Sequence, residues 1–254
     1  MRVDFFVAGV QKGGTTALDA MLRQHPEIAM AREKEVHFFD DEDVDWSAPD
    51  YGRLHAAYDA GERRLCGEAT PIYTYWPNAL ERLCRYNPNA KIIVGLRPPA
   101  FRAYSHWRME VARGAEMMSF SDAIRAGRDR VSGAPNGVHR VFSYVERGFY
   151  DQQLARLIGL FPRAQIHFFR TDHMFRDSAA ELTRLFAFLG VSNAAIESAY
   201  ITPVESRLSA AMLDADRQYL EAIYALGYLA IEAHTGLDLA DWRDPHYAEP
   251  MMAG

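Results

Sequence analysis

Apolar and polar positions follow one another along the chain in blocks that predict strands and helices in alternation. Residues 3–10 form an apolar run that stops at a polar, glycine-rich stretch, and from Thr15 apolar side chains recur at helical spacing. This beginning predicts a strand, a glycine loop and a helix. Further strands are predicted at 65–68, 91–96 and 165–169, further helices at 78–86, 99–108, 150–160, 179–189 and 209–236, a short extended segment at 35–39, and a loop at 132–137.

No internal repeat, low-complexity tract or clear linker interrupts this alternation. Alternating strands and helices are typical of a sheet whose parallel strands are joined by helical crossovers. The pattern therefore predicts an α/β fold over residues 1–254, as a single domain with a central, largely parallel sheet flanked by helices.

Composition excludes several classes of protein. Hydrophobic residues make up 49% of the 254 residues and charged residues 24%, so disordered, collagen-like and disulfide-scaffold proteins are excluded. The net charge of −6 argues against broad electrostatic binding to nucleic acid or to an anionic membrane. A small anionic ligand stays possible.

The amino-terminal run and the cysteines bear on the cell compartment. The run is too short for a transmembrane helix and contains Asp4, which does not fit a signal peptide. Cys66 and Cys84 stand 18 positions apart without a CxxC motif, which favours two reduced thiols and leaves one disulfide as the alternative. We therefore expect a cytoplasmic protein without membrane insertion.

Lysine is scarce, and its positions are informative. Of the 28 basic residues only Lys12, Lys34 and Lys91 are lysines. Lys12 opens the stretch Lys12, Gly13, Gly14, Thr15 and Thr16, which lies between the first strand and the first helix. Glycine turns let backbone N–H groups approach an anion, and a helix amino terminus attracts negative charge. The stretch is a candidate phosphate loop; the alternative is an ordinary turn with a capping threonine.

Two departures separate this loop from the Walker A motif. The sequence supplies GxxxxG from Gly9 to Gly14, but Thr15 stands where that motif requires lysine. Arg97 follows the buried strand at the point where a magnesium-dependent nucleotide hydrolase places an aspartate. Both departures argue against magnesium-dependent phosphoryl transfer.

Arg97 and Ser105 are candidates for a second phosphate site. Arg97 follows the carboxyl end of a predicted inner strand, where ligands bind in open parallel sheets, and Ser105 lies eight residues further on, in the next predicted helix. The alternative for Arg97 is an ion pair with a surface carboxylate.

The acidic run 40–45 and the histidines give no sign of a metal site. The run contains DxDxD, but Trp46 replaces the glycine of a calcium loop and Gly52 stands where its closing glutamate is required, so we interpret it as a solvated loop. The nine histidines show no HxxxH or HExxH pattern. Lys34 either meets an anionic acceptor or cofactor or is solvated.

Taken in order, these motifs resemble the sulfotransferases that use 3′-phosphoadenosine 5′-phosphosulfate (PAPS). The similarity rests on the loop 12–16, the segment 35–39, and Arg97 with Ser105 at their eight-residue spacing. It is greatest to the heparan sulfate 3-O- and N-sulfotransferase branch. It continues through 147–150, 161–169, 188–190 and 236–242.

The resemblance implies a P-loop-like nucleotide-binding fold in which different residues bind the two phosphate groups of the cofactor. Residues 12–16 would bind the 5′-phosphosulfate, and Arg97 and Ser105 would bind the 3′-phosphate. Arg207 matches the spacing of the family's Lys-Gly-Arg cofactor loop, but the lysine and glycine are absent, so it is a cofactor ligand or a surface arginine.

Sulfuryl transfer to a hydroxyl needs a base for the acceptor proton and a cation for the departing phosphate. Glu35 matches the base of the 3-O-sulfotransferase motif, and Lys12 is the cation. In an extended segment His37 would project to the same side as Glu35 and orient the acceptor or share its proton. The alternative for Glu35 and His37 is a polar strand face covering the sheet edge.

Departures from the family limit the acceptor. Ala69 replaces a lysine that in the 3-O-sulfotransferases contacts the acidic sugar chain, and we expect neither the paired cysteines nor the membrane anchor of that branch. We therefore expect a small hydroxylated acceptor, such as a glycoside, lipid or secondary metabolite, with 3′,5′-ADP as product and no metal. A magnesium-dependent P-loop kinase and a non-catalytic nucleotide-binding protein are the alternatives.

Overall fold

The computed structural model describes residues 2–59, 62, 64–197 and 211–250. They fall into two compact units. The first unit comprises the described residues within 1–96, 156–201 and 249–254, and the second those within 97–155 and 202–248. Arg207 lies outside the described residues, as do the first two positions of the helical prediction 209–236. The extent of one domain over 1–254 stays a prediction.

A five-stranded sheet forms the centre of the first unit. The strands are β1 (Phe5–Gly9), β2 (Ile28–Met30), β3 (Leu65–Ala69), β4 (Lys91–Leu96) and β5 (Ile166–Arg170). Every pairing is parallel, and the order across the sheet is β2-β3-β1-β4-β5. The predicted strands are confirmed with small shifts at their ends, whereas β2 is an addition. Its three residues are too few to show a period in the sequence.

Helices alternate with these strands and follow them along the chain. They are α1 (Thr15–Leu22), α2 (Gly52–His55), α3 (Ala79–Tyr86), α4 (Pro99–Ala112), α5 (Phe120–Ala123), α6 (Asp129–Ser132), α7 (Tyr150–Leu160), α8 (Thr171–Arg176), α9 (Ser178–Leu189), α10 (Asp214–Tyr224) and α11 (Tyr228–Thr235). Short 3-10 turns lie at Ala126–Arg128, Pro135–Gly137, Glu146–Gly148, Arg163–Gln165, Ala225–Gly227 and Ala240–Arg243. The fold class predicted from the sequence, α/β with a parallel sheet flanked by helices, is confirmed.

Both faces of the sheet are covered by apolar side chains, as parallel sheets require. Phe5 and Val7 of β1 belong to one buried cluster with α1 and α9. Phe6 points to the opposite face, because neighbouring strand residues alternate. There its ring packs edge-on against Phe39 at 5.6 Å and contacts Tyr86 of α3.

The segment 35–39 is not the extended strand that its sequence predicts. Glu35 has φ 64° and His37 has φ 53°, both in the left-handed region, and neither belongs to a strand. The reason is tertiary: the N–H groups of residues 36–38 donate to side chains and not to a neighbouring strand. A backbone held in this way does not follow the local preference for extended structure.

The second unit has its own buried centre. Arg102 of α4 is fully buried, and its guanidinium donates to the backbone oxygen of Tyr144. The Tyr224 hydroxyl donates to the backbone oxygen of Val145 at 2.8 Å. A Cβ on Gly148 would lie 2.4 Å from the Tyr224 hydroxyl, so this position requires glycine.

Candidate active site

The glycine loop between β1 and α1 is fixed at both ends. The N–H of Val10 donates to the oxygen of Gly95 in β4 at 3.0 Å, and the N–H of Gly13 donates to the oxygen of Val10 at 2.9 Å. A Cβ on Gly13 would lie 2.7 Å from the Gly95 oxygen, so only glycine fits there. The Thr171 hydroxyl donates to the Gly13 oxygen at 2.9 Å and holds the loop from β5's side of the sheet.

The loop presents a cation and a helix amino terminus together. Lys12 (φ 68°) and Gly14 (φ 76°) both adopt the left-handed conformation that turns the chain into α1. Gly14 caps α1 without any side-chain hydrogen bond, so the first-turn N–H groups face outward from the helix end. Thr16 is exposed, whereas Thr15 is buried. A half-buried lysine beside such a helix end is suited to a phosphate or sulfate group.

Glu35 lies at the same edge of the sheet as this loop. Its N–H donates to the oxygen of Ala69, the last residue of β3, at 3.0 Å. β3 pairs with β1 in parallel, with Val7 opposite Ala69. The segment around Glu35 and the loop after β1 therefore both stand at the carboxyl ends of neighbouring strands, which is the usual ligand-binding edge of an open parallel sheet.

The Glu35 carboxylate lies between two cationic groups. Lys34 Nζ is 2.5 Å from one carboxylate oxygen, and His37 Nε2 is 3.6 Å from the other. Adjacent side chains on an extended strand point to opposite faces and could not meet in this way. The left-handed conformations of Glu35 and His37 gather all three side chains on one side. Lys34 is 17% exposed and paired with Glu35, so it is not the solvated lysine of one of its two interpretations, and its contact with an anionic acceptor or cofactor stays a prediction.

These contacts fix the charges of Glu35 and His37. Burial opposes ionisation of Glu35, but the contact with His37 and the charge of Lys34 outweigh it and lower the pKa of Glu35 to about 2. The hydrogen bond to Asp40 and the contact with Glu35 raise the pKa of His37 to about 9, although burial works the other way. At neutral pH a carboxylate therefore faces an imidazolium.

Asp40 is a site residue that the sequence interpretation missed. It is fully buried, and its Oδ2 lies 2.8 Å from His37 Nδ1. The prediction of a solvated loop is therefore wrong at this position. Phe38 and Phe39 pack into the aromatic layer beneath the segment and carry Asp40 inward with them. The sequence does contain a signal for the burial of Asp40: the apolar pair Phe38 and Phe39 lies between His37 and this aspartate.

Two further predicted cofactor residues, Arg97 and Ser105, belong to the second unit. Arg97 directly follows β4, and its backbone oxygen accepts a hydrogen bond from the Tyr150 hydroxyl at 2.9 Å. Ser105 lies in the second turn of α4, so the predicted helix is confirmed. Both side chains are half-buried. The structure thus brings Glu35 and His37 together and shows residues 12–16 as a continuous stretch in which the loop ends at Gly14 and α1 begins at Thr15.

Three further findings concern the described ranges. No group of three or more His, Cys, Asp or Glu side chains among them could hold a metal ion. Within the same ranges, no helix has the length and apolar character needed to cross a bilayer. Cys66 and Cys84 are free thiols, as predicted, and burial raises the pKa of Cys66 to about 11.

Proteins of known families that are similar to this chain are sulfotransferases. The family model described as "Sulfotransferase domain" matches residues 2–206. The mouse heparan sulfate glucosamine 3-O-sulfotransferase 6 is 32% identical over 189 residues, which cover 73% of this chain and 51% of that protein. The mouse 3-O-sulfotransferase 3B1 is 32% identical over 190 residues, covering 73% of this chain and 45% of that protein. The chain thus spans about half the length of these curated relatives.

Solved structures agree. A sulfotransferase from Alicyclobacillus acidocaldarius superposes with a TM-score of 0.81 at 29% identity, covering 96% of this chain and 99% of that one. The sulfotransferase domain of the Synechococcus PCC 7002 olefin synthase gives a TM-score of 0.54 at 15% identity over 89% of this chain and 94% of that one, which shows the fold alone. The resemblance drawn from the motifs is confirmed by these matches.

Proposed function

Because the chain belongs to the sulfotransferase domain family, we propose that it transfers a sulfuryl group from PAPS to the hydroxyl of a small or glycosylated acceptor, releasing 3′,5′-ADP. The observation that carries this proposal is the Glu35 carboxylate 3.6 Å from His37 Nε2, at the sheet edge that also holds the Lys12 loop. PAPS supplies the activated sulfuryl group and a phosphate leaving group.

Glu35 would take the proton of the acceptor hydroxyl as that oxygen bonds to sulfur. A carboxylate with a pKa of about 2 is a weak base. It suffices if it accepts the proton late, because the hydroxyl becomes strongly acidic once its oxygen is bonding to sulfur. His37, fixed by Asp40, would hold Glu35 in position and carry the positive charge that offsets it.

Lys12 would stabilise the charge that develops on the departing phosphate as its bond to sulfur breaks. The residues present suit this end of the nucleotide: an ammonium group, a loop that only glycine can form at Gly13, and the outward N–H groups of α1. Gly14, Thr15 and Thr16 complete the 5′-phosphosulfate site in this proposal.

Arg97 and Ser105 would bind the 3′-phosphate, and Arg207 is a further candidate ligand of the nucleotide. An arginine fork and a hydroxyl suit a terminal phosphate dianion. Neither group requires a metal ion, and the chemistry proposed here uses none.

The acceptor we propose is a hydroxylated glycoside, lipid or secondary metabolite. The curated relatives are named for heparan sulfate glucosamine, a polyanionic chain. Here the position that carries a sugar-binding lysine in that branch is Ala69, which is 1% exposed and belongs to the apolar core. A chain of net charge −6 without that lysine has less attraction for a long polyanion.

Labelled PAPS tests the proposal. Wild-type protein would be incubated with [³⁵S]PAPS and a panel of alcohols, phenols and glycosides in a chelator, and the organic sulfate products separated. We expect label in at least one acceptor together with equimolar 3′,5′-ADP. Activity on γ-labelled ATP that is abolished by the chelator and restored by Mg²⁺ would identify a kinase instead. Tight 3′,5′-ADP binding without transfer to any acceptor would favour a non-catalytic protein.

A further inference from the structure

Three consecutive backbone amides at the candidate base donate to side chains at the end of β3 and in the segment that follows it. The residues concerned are Val36, His37 and Phe38. Their N–H groups donate to Glu68 Oε1 at 3.3 Å, to the Thr70 hydroxyl at 3.4 Å and to the Tyr73 hydroxyl at 3.2 Å, respectively. Each of the three residues between Glu35 and Phe39 is thereby held by a hydrogen bond from its backbone amide to a buried side chain.

The three acceptors lie close to one another. The Thr70 hydroxyl donates to Glu68 Oε1, and interactions with Thr70 and Tyr73 oppose the rise that burial causes in the pKa of Glu68. All three side chains are fully buried. A hydroxyl has one proton to donate and lone pairs that accept, so Thr70 can receive the amide of His37 while donating to Glu68. A carbon at that position could do neither.

We propose that Glu68, Thr70 and Tyr73 form an amide anchor that sets the backbone of residues 36–38 and thereby aims Glu35 and His37 at the acceptor hydroxyl. They are positioning residues, since their contacts reach the reaction through the segment they hold. This inference rests on the proposed sulfuryl transfer.

Backbone conformation shows why an anchor is needed. Glu35 and His37 both have positive φ, a conformation that side chains with a Cβ adopt at a cost in energy. The segment belongs to no strand whose ladder could hold it. The hydrogen bonds to Glu68, Thr70 and Tyr73 therefore hold this backbone in place, as the hydrogen bonds of a β-ladder do in a strand. Small displacements of a catalytic base lower the reaction rate, so holding the segment matters for catalysis.

Glu68 accepts hydrogen bonds from both Val36 and Thr70, and its two carboxyl oxygens differ in their contacts. Oε1 receives the contacts described above, whereas Oε2 has no hydrogen-bond partner among the described residues. Burial and the charge of Asp40 raise the pKa of Glu68 to about 7, despite the donors on Oε1. A neutral side chain with an oxygen at the Oε1 position therefore keeps the anchor. Glu68→Gln is the variant that tests this point.

A pair of substitutions at Thr70 tests the anchor. Thr70→Val keeps the shape and removes the hydroxyl, whereas Thr70→Ser keeps the hydroxyl. The measurements are kcat and KM for sulfuryl transfer, Kd for 3′,5′-ADP, and amide hydrogen exchange at residues 36–38. Tyr58→Phe is the matched control for Tyr73→Phe, because Tyr58 is a buried tyrosine whose hydroxyl donates to the Gly67 oxygen at 2.8 Å, whereas the three amides donate to Glu68, Thr70 and Tyr73.

For Thr70→Val we expect kcat to fall about tenfold or more, the Kd for 3′,5′-ADP to stay within about twofold, and the His37 amide to exchange faster. Thr70→Ser should restore kcat and protection, Glu68→Gln should keep both, and Tyr73→Phe should expose the Phe38 amide. Wild-type exchange in Thr70→Val would overturn the anchor, and faster exchange with unchanged kcat would overturn its role in positioning.

The exchange measurement does not depend on catalysis. A wild-type protein that transfers no sulfuryl group to any acceptor would contradict the proposed function, while protection of the three amides would still decide whether the anchor exists. Failure of the two proposals is thus distinguishable.

Discussion

Asp40 Oδ2 lies 2.8 Å from His37 Nδ1, and the Asp40 side chain is fully buried while that of His37 is partly exposed. The buried carboxylate fixes which ring nitrogen faces it and leaves Nε2 for Glu35. An imidazolium between two carboxylates keeps its proton to higher pH than a free histidine does. This relationship decides the ionisation of the candidate site and can be changed by substituting Asp40.

Asp40→Asn should therefore shift the alkaline limb of the pH–rate profile to lower pH. The hydrogen bond to Asp40 is the largest cause of the raised pKa of His37, which is about 9 in the wild type. Without that carboxylate the pKa of His37 falls towards 6.5, so imidazolium is lost at lower pH. The profile of kcat and an NMR titration of the His37 ring both measure this. Asp43→Asn, an exposed neighbour, should leave both unchanged. An unmoved titration in Asp40→Asn would contradict the assignment.

Replacing the candidate base should abolish turnover and spare donor binding. In Glu35→Gln, kcat should fall by a factor of about 10² to 10⁴, the range that general base catalysis contributes. The Kd for 3′,5′-ADP should stay within about twofold of the wild-type value. Steady-state kinetics and calorimetry provide the two numbers. Glu33→Gln changes an exposed residue two positions away and serves as control. Full activity in Glu35→Gln would remove Glu35 from the mechanism.

The contacts of His37 predict a pH dependence of stability. The pKa of His37 is raised from 6.5 to about 9, so its contribution is complete below pH 6.5 and is lost as the pH rises through about 9. The pKa of Glu35 is lowered from 4.5 to about 2, so its contribution is complete above pH 4.5 and is lost as the pH falls through about 2. Both are complete between pH 4.5 and 6.5.

Urea unfolding of wild type and His37→Asn measures this effect. The difference in free energy of unfolding should be largest near pH 5.5 and shrink by pH 9.5. Added salt should reduce it, because 42% of the His37 side chain is exposed. His246→Asn replaces an exposed histidine and should show no such trend. A difference that grows with pH would contradict the charge assignment.

A methyl group on the glycine loop should damage both stability and donor binding. In Gly13→Ala the new Cβ would lie 2.7 Å from the Gly95 oxygen and 2.9 Å from the Val10 oxygen, so the backbone must move. We expect a loss of about 2 kcal/mol or more in the free energy of unfolding and weaker 3′,5′-ADP binding. Gly159→Ala in α7 meets nothing within 4 Å and should be neutral or stabilising. Equal unfolding midpoints for the two variants would contradict the steric argument.

Local patterns predicted the parts of this molecule that local interactions determine. The buried runs of β1 and β4 and the turn at Gly13 follow from apolar runs and glycine spacing, and each is present. The three residues of β2 acquire strand structure from pairing with β3, which a single segment does not show.

The candidate site was only partly predictable for the same reason. The sequence placed His37 on the same side as Glu35, and the side chains do meet, but left-handed backbone brings them together and not an extended strand. That backbone is held by Glu68, Thr70 and Tyr73, which lie about 30 residues further along the chain. Burial of Asp40 depends on the same tertiary contacts.

Calorimetric titration with 3′,5′-ADP and with ATP, in a chelator, tests the central claim most directly. Wild type should bind 3′,5′-ADP tightly without metal and ATP poorly, and Arg97→Ala should weaken 3′,5′-ADP binding by about tenfold or more. Arg113→Ala replaces an exposed arginine at the carboxyl end of α4, serves as the control and should bind as wild type does. Indifference to both nucleotides, or a preference for ATP with Mg²⁺, would contradict the assignment of a PAPS-dependent sulfotransferase.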